Sequence, residues 1–130
     1  MVRKIQHIRE AYNEHNDIIG MVADLEEYVK ENVQDQTNDT LDIRAMQITN
    51  MGSYDLFELV IYDARYSYIE EIGTVELKYK NNQWDIEIYI KYEDSILKDN
   101  ITTIDLNDVK EYIVKQIMNF YWYELPDDWQ

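Results

Sequence analysis

Asn81 and Asn82 separate two runs of alternating apolar residues, and the register they impose decides how the middle of this chain folds. Asparagine tolerates the positive φ that both central positions of a two-residue type I′ turn require. Such a loop sets Tyr79 opposite Trp84, Leu77 opposite Ile86 and Val75 opposite Ile88, with all six apolar side chains on one face. A three-residue loop would put Lys80 against Trp84 and spoil the match. The spacing therefore predicts an antiparallel hairpin with one buried face. On the other face it sets Glu76 against Glu87 and Lys78 against Asp85. Like charges directly opposite destabilise a sheet, so Glu76, Asp85 and Glu87 mark a carboxylate-bearing surface turned to water.

The flanking sequence supplies what would cover the apolar face. Ile5, Ile8, Tyr12, His15, Ile19, Val22, Val29 and Val33 recur at spacings near three and four, with Leu25 beside the stripe and Glu26 interrupting it. That period is helical. Asn13, Asn16 and Gly20 are weak helix formers and leave room for a kink near residues 13–17. The polar stretch Gln34 to Thr40 ends the pattern. Leu41 to Ala45 then alternates, and Met46 and Ile48 fall on the opposite parity, as at a bulge. Residues 50–53 read as a turn. Asp55 to Tyr62, apolar on both parities, reads as a central strand covered on two faces. Asp63 to Gly73 reads as a connection bearing Tyr66, Tyr68, Glu70 and Glu71, and Lys91 to Asn100 as a charged strand end and loop. Asp105 with Asp108 marks a helix start; Val109, Tyr112, Ile113, Ile117, Phe120 and Tyr121 form its buried face, and it ends near Pro126. The expected fold is α+β, in the order α-β-β-β-β-α: an antiparallel sheet of about four strands packed by a long N-terminal and a C-terminal helix.

A length of 130 residues fits one domain, 1–130. With 45% hydrophobic residues, twelve Tyr and three Trp, the chain is too apolar for disorder. The absence of cysteine excludes disulfides, thiolate metal sites and cysteine nucleophiles. Residues 1–20 show no apolar signal core and no run reaches membrane length. The expectation is a cytoplasmic protein without a membrane partner.

Catalytic signals are weak. His7, Glu10 and Glu14 share a helical face but match no zinc or di-iron signature, so solvated residues explain them better and neither a metal nor a cofactor is expected. The serines lie in no nucleophile-elbow context. The triplet Glu76-Leu77-Lys78 resembles the E-x-K step of the PD-(D/E)xK nucleases, a resemblance that implies a metal held by Glu76 and an upstream Asp55 or Asp63, with Lys78 polarising water. No Pro-Asp precedes it, and a tight hairpin follows where those nucleases turn to a helix. A net charge of −15 also repels DNA, so direct nucleic-acid binding is not expected.

Twenty-seven Asp and Glu against twelve Lys and Arg produce that charge. It exceeds the ~2–8 of an ordinary small soluble domain and creates a field that attracts cationic partners. Spread over a surface of about 7,300 Å² scaled from the mass, it averages one net charge per ~490 Å². B-DNA carries one per ~1.7 Å of axis, or roughly 110 Å² of a 10 Å cylinder. Imitation of nucleic acid therefore demands that the acids be concentrated. The candidate contact residues are Asp63, Tyr66, Tyr68, Glu70, Glu71, Glu76, Asp85, Glu87, Glu93 and Asp94, with Asp24, Glu26, Glu27 and Glu31 as a second group on the first helix. Trp122 and Trp129 divide evenly between anchor and core.

Richness in Ile, Asn, Lys, Tyr and Asp and poverty in Ala, Gly and Pro point to an AT-rich genome. In size, charge and lack of cysteine the chain resembles phage inhibitors of host defence: anti-CRISPR, anti-restriction and glycosylase-inhibitor proteins. That resemblance implies a non-enzymatic inhibitor of a basic nucleic-acid-binding protein, such as a Cas effector or other defence nuclease. An immunity protein or antitoxin against a basic toxin would present the same surface.

Overall fold

The computed structural model describes the backbone of residues 2–45, 49–67 and 69–129, and side chains from residue 18 onward within those ranges. Helix α1 (Val2–Thr37) leads into strands β1 (Leu41–Ala45), β2 (Thr49–Asn50), β3 (Asp55–Asp63), β4 (Glu70–Lys80), β5 (Gln83–Tyr92) and β6 (Ser95–Thr103), followed by helix α2 (Leu106–Tyr123) and a short 3-10 turn, Asp127–Trp129. All pairings are antiparallel, in the order β1-β3-β4-β5-β6, with β2 also on β3. The fold is α+β, as the periodicity predicts, with a fuller sheet than four strands.

The hairpin register is the expected one. Tyr79 faces Trp84, Leu77 faces Ile86 and Val75 faces Ile88, and Asn81 and Asn82 adopt φ of 52° and 61°. Both helices lie on the face that buries Val75, Leu77, Trp84, Ile86 and Ile88, and the core forms between them and the sheet. Asp105 caps α2 by accepting a hydrogen bond from the Asn107 amide at 2.8 Å, satisfying one of the free N–H groups of the first turn.

Four sequence expectations change. The segment 91–100 is no loop: β5 runs to Tyr92, Glu93 and Asp94 form a two-residue turn, and β6 follows. Glu93 takes a φ of 53°, a conformation the sequence does not advertise because glutamate rarely adopts it. Glu70 to Gly73 belongs to β4, leaving a connection of only residues 64–69; Ile72 is the extra residue of a bulge there and stays buried. Strand β3 is covered by helices on one face only, although Val60 is buried on the other among its neighbours' side chains. Finally, α1 is one helix through residues 13–17, and its buried stripe is Ile18, Val22, Leu25, Val29 and Val33, with Ile19 42% exposed. Leu25 fills the gap that Glu26 leaves in the pattern. The side chains of Ile5, Ile8, Tyr12 and His15, and the suspected bulge at Met46 and Ile48, lie outside the described residues.

The two helices run parallel. Lys110, in the first half of α2, contacts Asp24 and lies over the Tyr28 ring. At the other end α1 turns into Leu41, paired with Asp63, while the Ser95 hydroxyl donates to the Glu124 carbonyl just past α2. Both C-termini thus point to the end of the sheet where β3 and β5 finish and β4 and β6 begin.

Candidate functional site

Nine of the ten predicted contact residues are described, and they divide into two places. Glu76, Asp85 and Glu87 stand on the sheet face away from the helices, in the pairing the hairpin dictates. Strand β3 adds Glu58 directly opposite Glu76, so three carboxylates cross neighbouring strands in one row about 5 Å apart. Sequence reading missed Glu58 because the apolar run around it hides its parity. The row is diluted by its surroundings. Asp42, Glu58, Glu71, Glu76, Asp85 and Glu87 share this face with Arg44, Lys78, Lys80, Lys91 and Lys98, six against five. Lys78 reaches Glu76 at 3.7 Å, and the Thr102 hydroxyl donates to Asp85 at 2.7 Å. The sheet face is close to electrical balance.

The remaining candidates converge on the end toward which the helices run. Glu70 and Glu71 begin β4, and Glu93 and Asp94 form the neighbouring turn; all four are exposed. Three further segments bring acids that the sequence reading did not assign to the site: Asp35 and Asp39 at the end of α1, Glu124 after α2, and Asp127 and Asp128 in the final turn, all exposed. Nine carboxylates from five segments thus occupy one end. Neither helix has a basic residue in its last turn, so the partial negative charge of each C-terminus adds to theirs. Lys91 is the nearest cation on the outer face, and Arg65 is already taken.

Asp63 is a correction. It is 5% exposed and holds Arg65 through two side-chain hydrogen bonds of 3.1 Å, while accepting the Arg65 amide as well. That pairing drives the Arg65 pKa further above its ordinary value. Asp63 is a structural anchor and presents no charge to a partner. Tyr66 is 57% exposed beside the Arg65 guanidinium, 5.2 Å from carbon to ring centroid. Tyr68 lies outside the described residues. Trp129 is core, 2% exposed against Tyr92 and Arg65, whereas Trp122 is 48% exposed.

The helix acids form a stripe along α1 that runs into the acidic end at Asp35. Asp24, Glu27, Glu31 and Asp35 are exposed and successive members lie three or four residues apart, about 5.5 Å per charge along the axis. Glu26 turns inward and accepts the Ala45 amide at 3.4 Å.

The nuclease geometry does not assemble around Glu76-x-Lys78. Asp55 sits at the far end of β3, bound by Asn50 at 2.9 Å, and Asp63 is neutralised by Arg65. Among the described residues no group of three His, Asp or Glu side chains is arranged to hold a metal ion; His7, Glu10 and Glu14 have side chains outside that set. Also among the described residues, no helix is long and apolar enough to cross a membrane.

The accessible surface is 8456 Å², so a net charge of −15 averages one per about 560 Å², five times sparser than B-DNA at roughly 110 Å². Nine of the carboxylates are gathered at the one end described above. No protein-family model, curated protein or solved structure matches this chain.

Proposed function

We propose that this protein is a non-enzymatic inhibitor that occupies the nucleic-acid-binding surface of a basic protein, of the kind served by Cas effectors and other defence nucleases. The observation that carries the reading is the gathering of nine exposed carboxylates at the end where two uncompensated helix C-termini point. Arginines that grip phosphate also grip carboxylate, with paired hydrogen bonds of the same geometry. Exposed Tyr66 beside that end supplies an aromatic contact of the type enriched at binding hot spots. The Glu58–Glu76–Glu87 row plays the lesser part, since neighbouring lysines offset it.

The test is binding of the purified protein to a candidate effector nuclease, at low and at high salt, with DNA or guide RNA as competitor. The reading expects release as screening rises, competition by nucleic acid, and loss of binding when Glu70, Glu71, Glu93 and Asp94 are changed together to their amides. Binding that ignores salt and leaves nucleic acid bound would overturn it. Capture of a basic toxin in place of a defence nuclease would make the protein an immunity protein or antitoxin, using the same surface.

A further inference from the structure

We propose that β6 takes up an extended segment of the partner protein in which Lys or Arg alternates with an apolar residue, added to the sheet as one more strand. The proposal rests on the function above only in taking the partner to be basic. Among the described residues no strand covers β6, which ends the sheet. The two-residue turn closes on the pair Tyr92–Ser95, and the register continues without a shift to Trp84–Thr103. Odd-numbered residues of β6 therefore direct their N–H and C=O groups into β5, and Ile96, Lys98, Asn100 and Thr102 direct theirs outward.

Open edges are ordinarily blunted by shortness, proline, bulges or cover. Strand β1 is guarded in this way: it has five residues, Glu26 accepts the Ala45 amide, and Gln34 and Lys30 reach down from α1 to Asp42. Strand β6 has nine residues, no proline and no bulge. It also has a groove beside it. About 270 Å³ lies between the start of β6 and the last turns of α2, walled by Ile96, Leu97, Phe120 and Tyr123 with Gln116 and Asn119. Ile96 is 56% exposed and Tyr123 81%, so apolar surface lies open next to the outward-directed backbone groups.

The helix side of β6 specifies the occupant. Leu97, Asp99 and Ile101 pair with Ile90, Ile88 and Ile86 and share their face. Carboxylates recur along that face at its start, middle and end. Glu124 lines the groove and accepts the Ser95 hydroxyl at its carbonyl. Asp99, in the strand itself, accepts the Tyr112 hydroxyl, and the Thr103 hydroxyl reaches Asp108 at 3.4 Å. Ser95, Asp99 and Thr103 are four residues apart, or ~13 Å, with Leu97 and Ile101 between them. The same-face side chains of an added strand keep that step. Cations opposite Ser95, Asp99 and Thr103 would then alternate with apolar residues opposite Leu97 and Ile101, the one at Leu97 entering the groove. Lys98 projects from the other face, and Lys115 is the one exposed lysine of α2. The carboxylates outnumber them, so a basic strand is drawn in where a copy of this acidic chain is repelled.

The experiment titrates the full chain into a fluorescent nine-residue peptide with Lys at its first, fifth and ninth positions, Leu at the third and seventh, and Thr between. The expected result is saturable binding that weakens with salt and falls about tenfold for a peptide of the same composition with its lysines adjacent. Asn100→Pro removes an outward N–H and no ladder bond to β5; it should abolish peptide binding with unchanged circular dichroism. Tyr123→Ala, which removes an exposed wall of the groove, should weaken binding about tenfold without altering the edge. Absence of binding overturns the proposal. Equal binding of the two peptides, or indifference to both substitutions, also overturns it by reducing the contact to general charge attraction. A dimer of twice 15.8 kDa that Asn100→Pro dissolves would put a second copy on the edge and overturn it as well. The assay holds neither nuclease nor nucleic acid, so its failure leaves the proposed inhibition to its own salt and competition test.

Discussion

The guanidinium carbon of Arg65 lies 3.4 Å from the centroid of the Trp129 ring while Asp63 grips the same group through two hydrogen bonds. One cation thereby fastens the C-terminal turn to the end of β3. Both side chains are largely buried, 14% and 6% exposed. Arg65→Ala would leave Asp63 buried and unpaired, an expected loss of about 3–5 kcal/mol in urea unfolding. Changing both residues to Ala should cost less than the two single losses combined. Simple additivity would show that the pair is not coupled.

Glu76 stands between Glu58 and Glu87 on adjacent strands. Glu76→Gln removes two like-charge contacts for one exposed ion pair with Lys78, and should raise stability by ~0.2–1 kcal/mol. The gain should shrink in high salt, since screening already relieves the wild type. A melting temperature that falls would refute this account.

Glu93 holds a φ of 53° in a two-residue turn, a conformation that costs an L-residue about 1–2 kcal/mol and glycine almost nothing. Glu93→Gly should therefore raise the unfolding midpoint by the equivalent of ~0.5–1 kcal/mol, after glycine's own entropy cost. The same substitution removes a charge from the acidic end and should weaken partner binding. Opposite signs in the two measurements separate the turn's strain from its charge.

Much of this was legible in advance, and the reasons are local. The register of β4 and β5 followed from two asparagines and six apolar residues, and the start of α2 from Asp105. Strand β6 was hidden, because its turn uses Glu93 and Asp94 in place of glycine and its exposed edge reads as polar as a loop. The site was harder still. Asp63 looks like any surface acid until Arg65 folds back onto it. The acidic end is assembled from segments as distant as Asp35 and Asp128, and only the parallel course of the helices brings them together.

Tyr112 donates its hydroxyl to Asp99 at 2.8 Å, and burial, then that bond, raise its pKa above the ordinary value of 10.0. The folded state thus favours the neutral phenol. Its contribution is fully present below pH 10 and is lost as pH rises from there toward the elevated folded value. Tyr112→Phe should unfold with a shallower loss of stability across that alkaline range. Identical alkaline profiles for the two proteins would contradict the bond.

Gly73 faces Ile90 at the β4 bulge, and a Cβ there would lie 2.6 Å from the Tyr89 carbonyl oxygen and 3.0 Å from the Ile90 Cα. Neither backbone atom can step aside alone. Gly73→Ala should cost about 1–3 kcal/mol, readable in chemical denaturation, and a neutral result would mean that β4 and β5 separate here more easily than their pairing implies.

The shared direction of α1 and α2 also governs how the molecule arrives. A body charged at one pole feels a torque in an external field and turns before it touches. Near a cationic cleft this protein would swing its Glu70 and Glu124 end forward while still a screening length or two away. Many approach angles would then funnel into one, so the fold serves as a rudder as much as a glove.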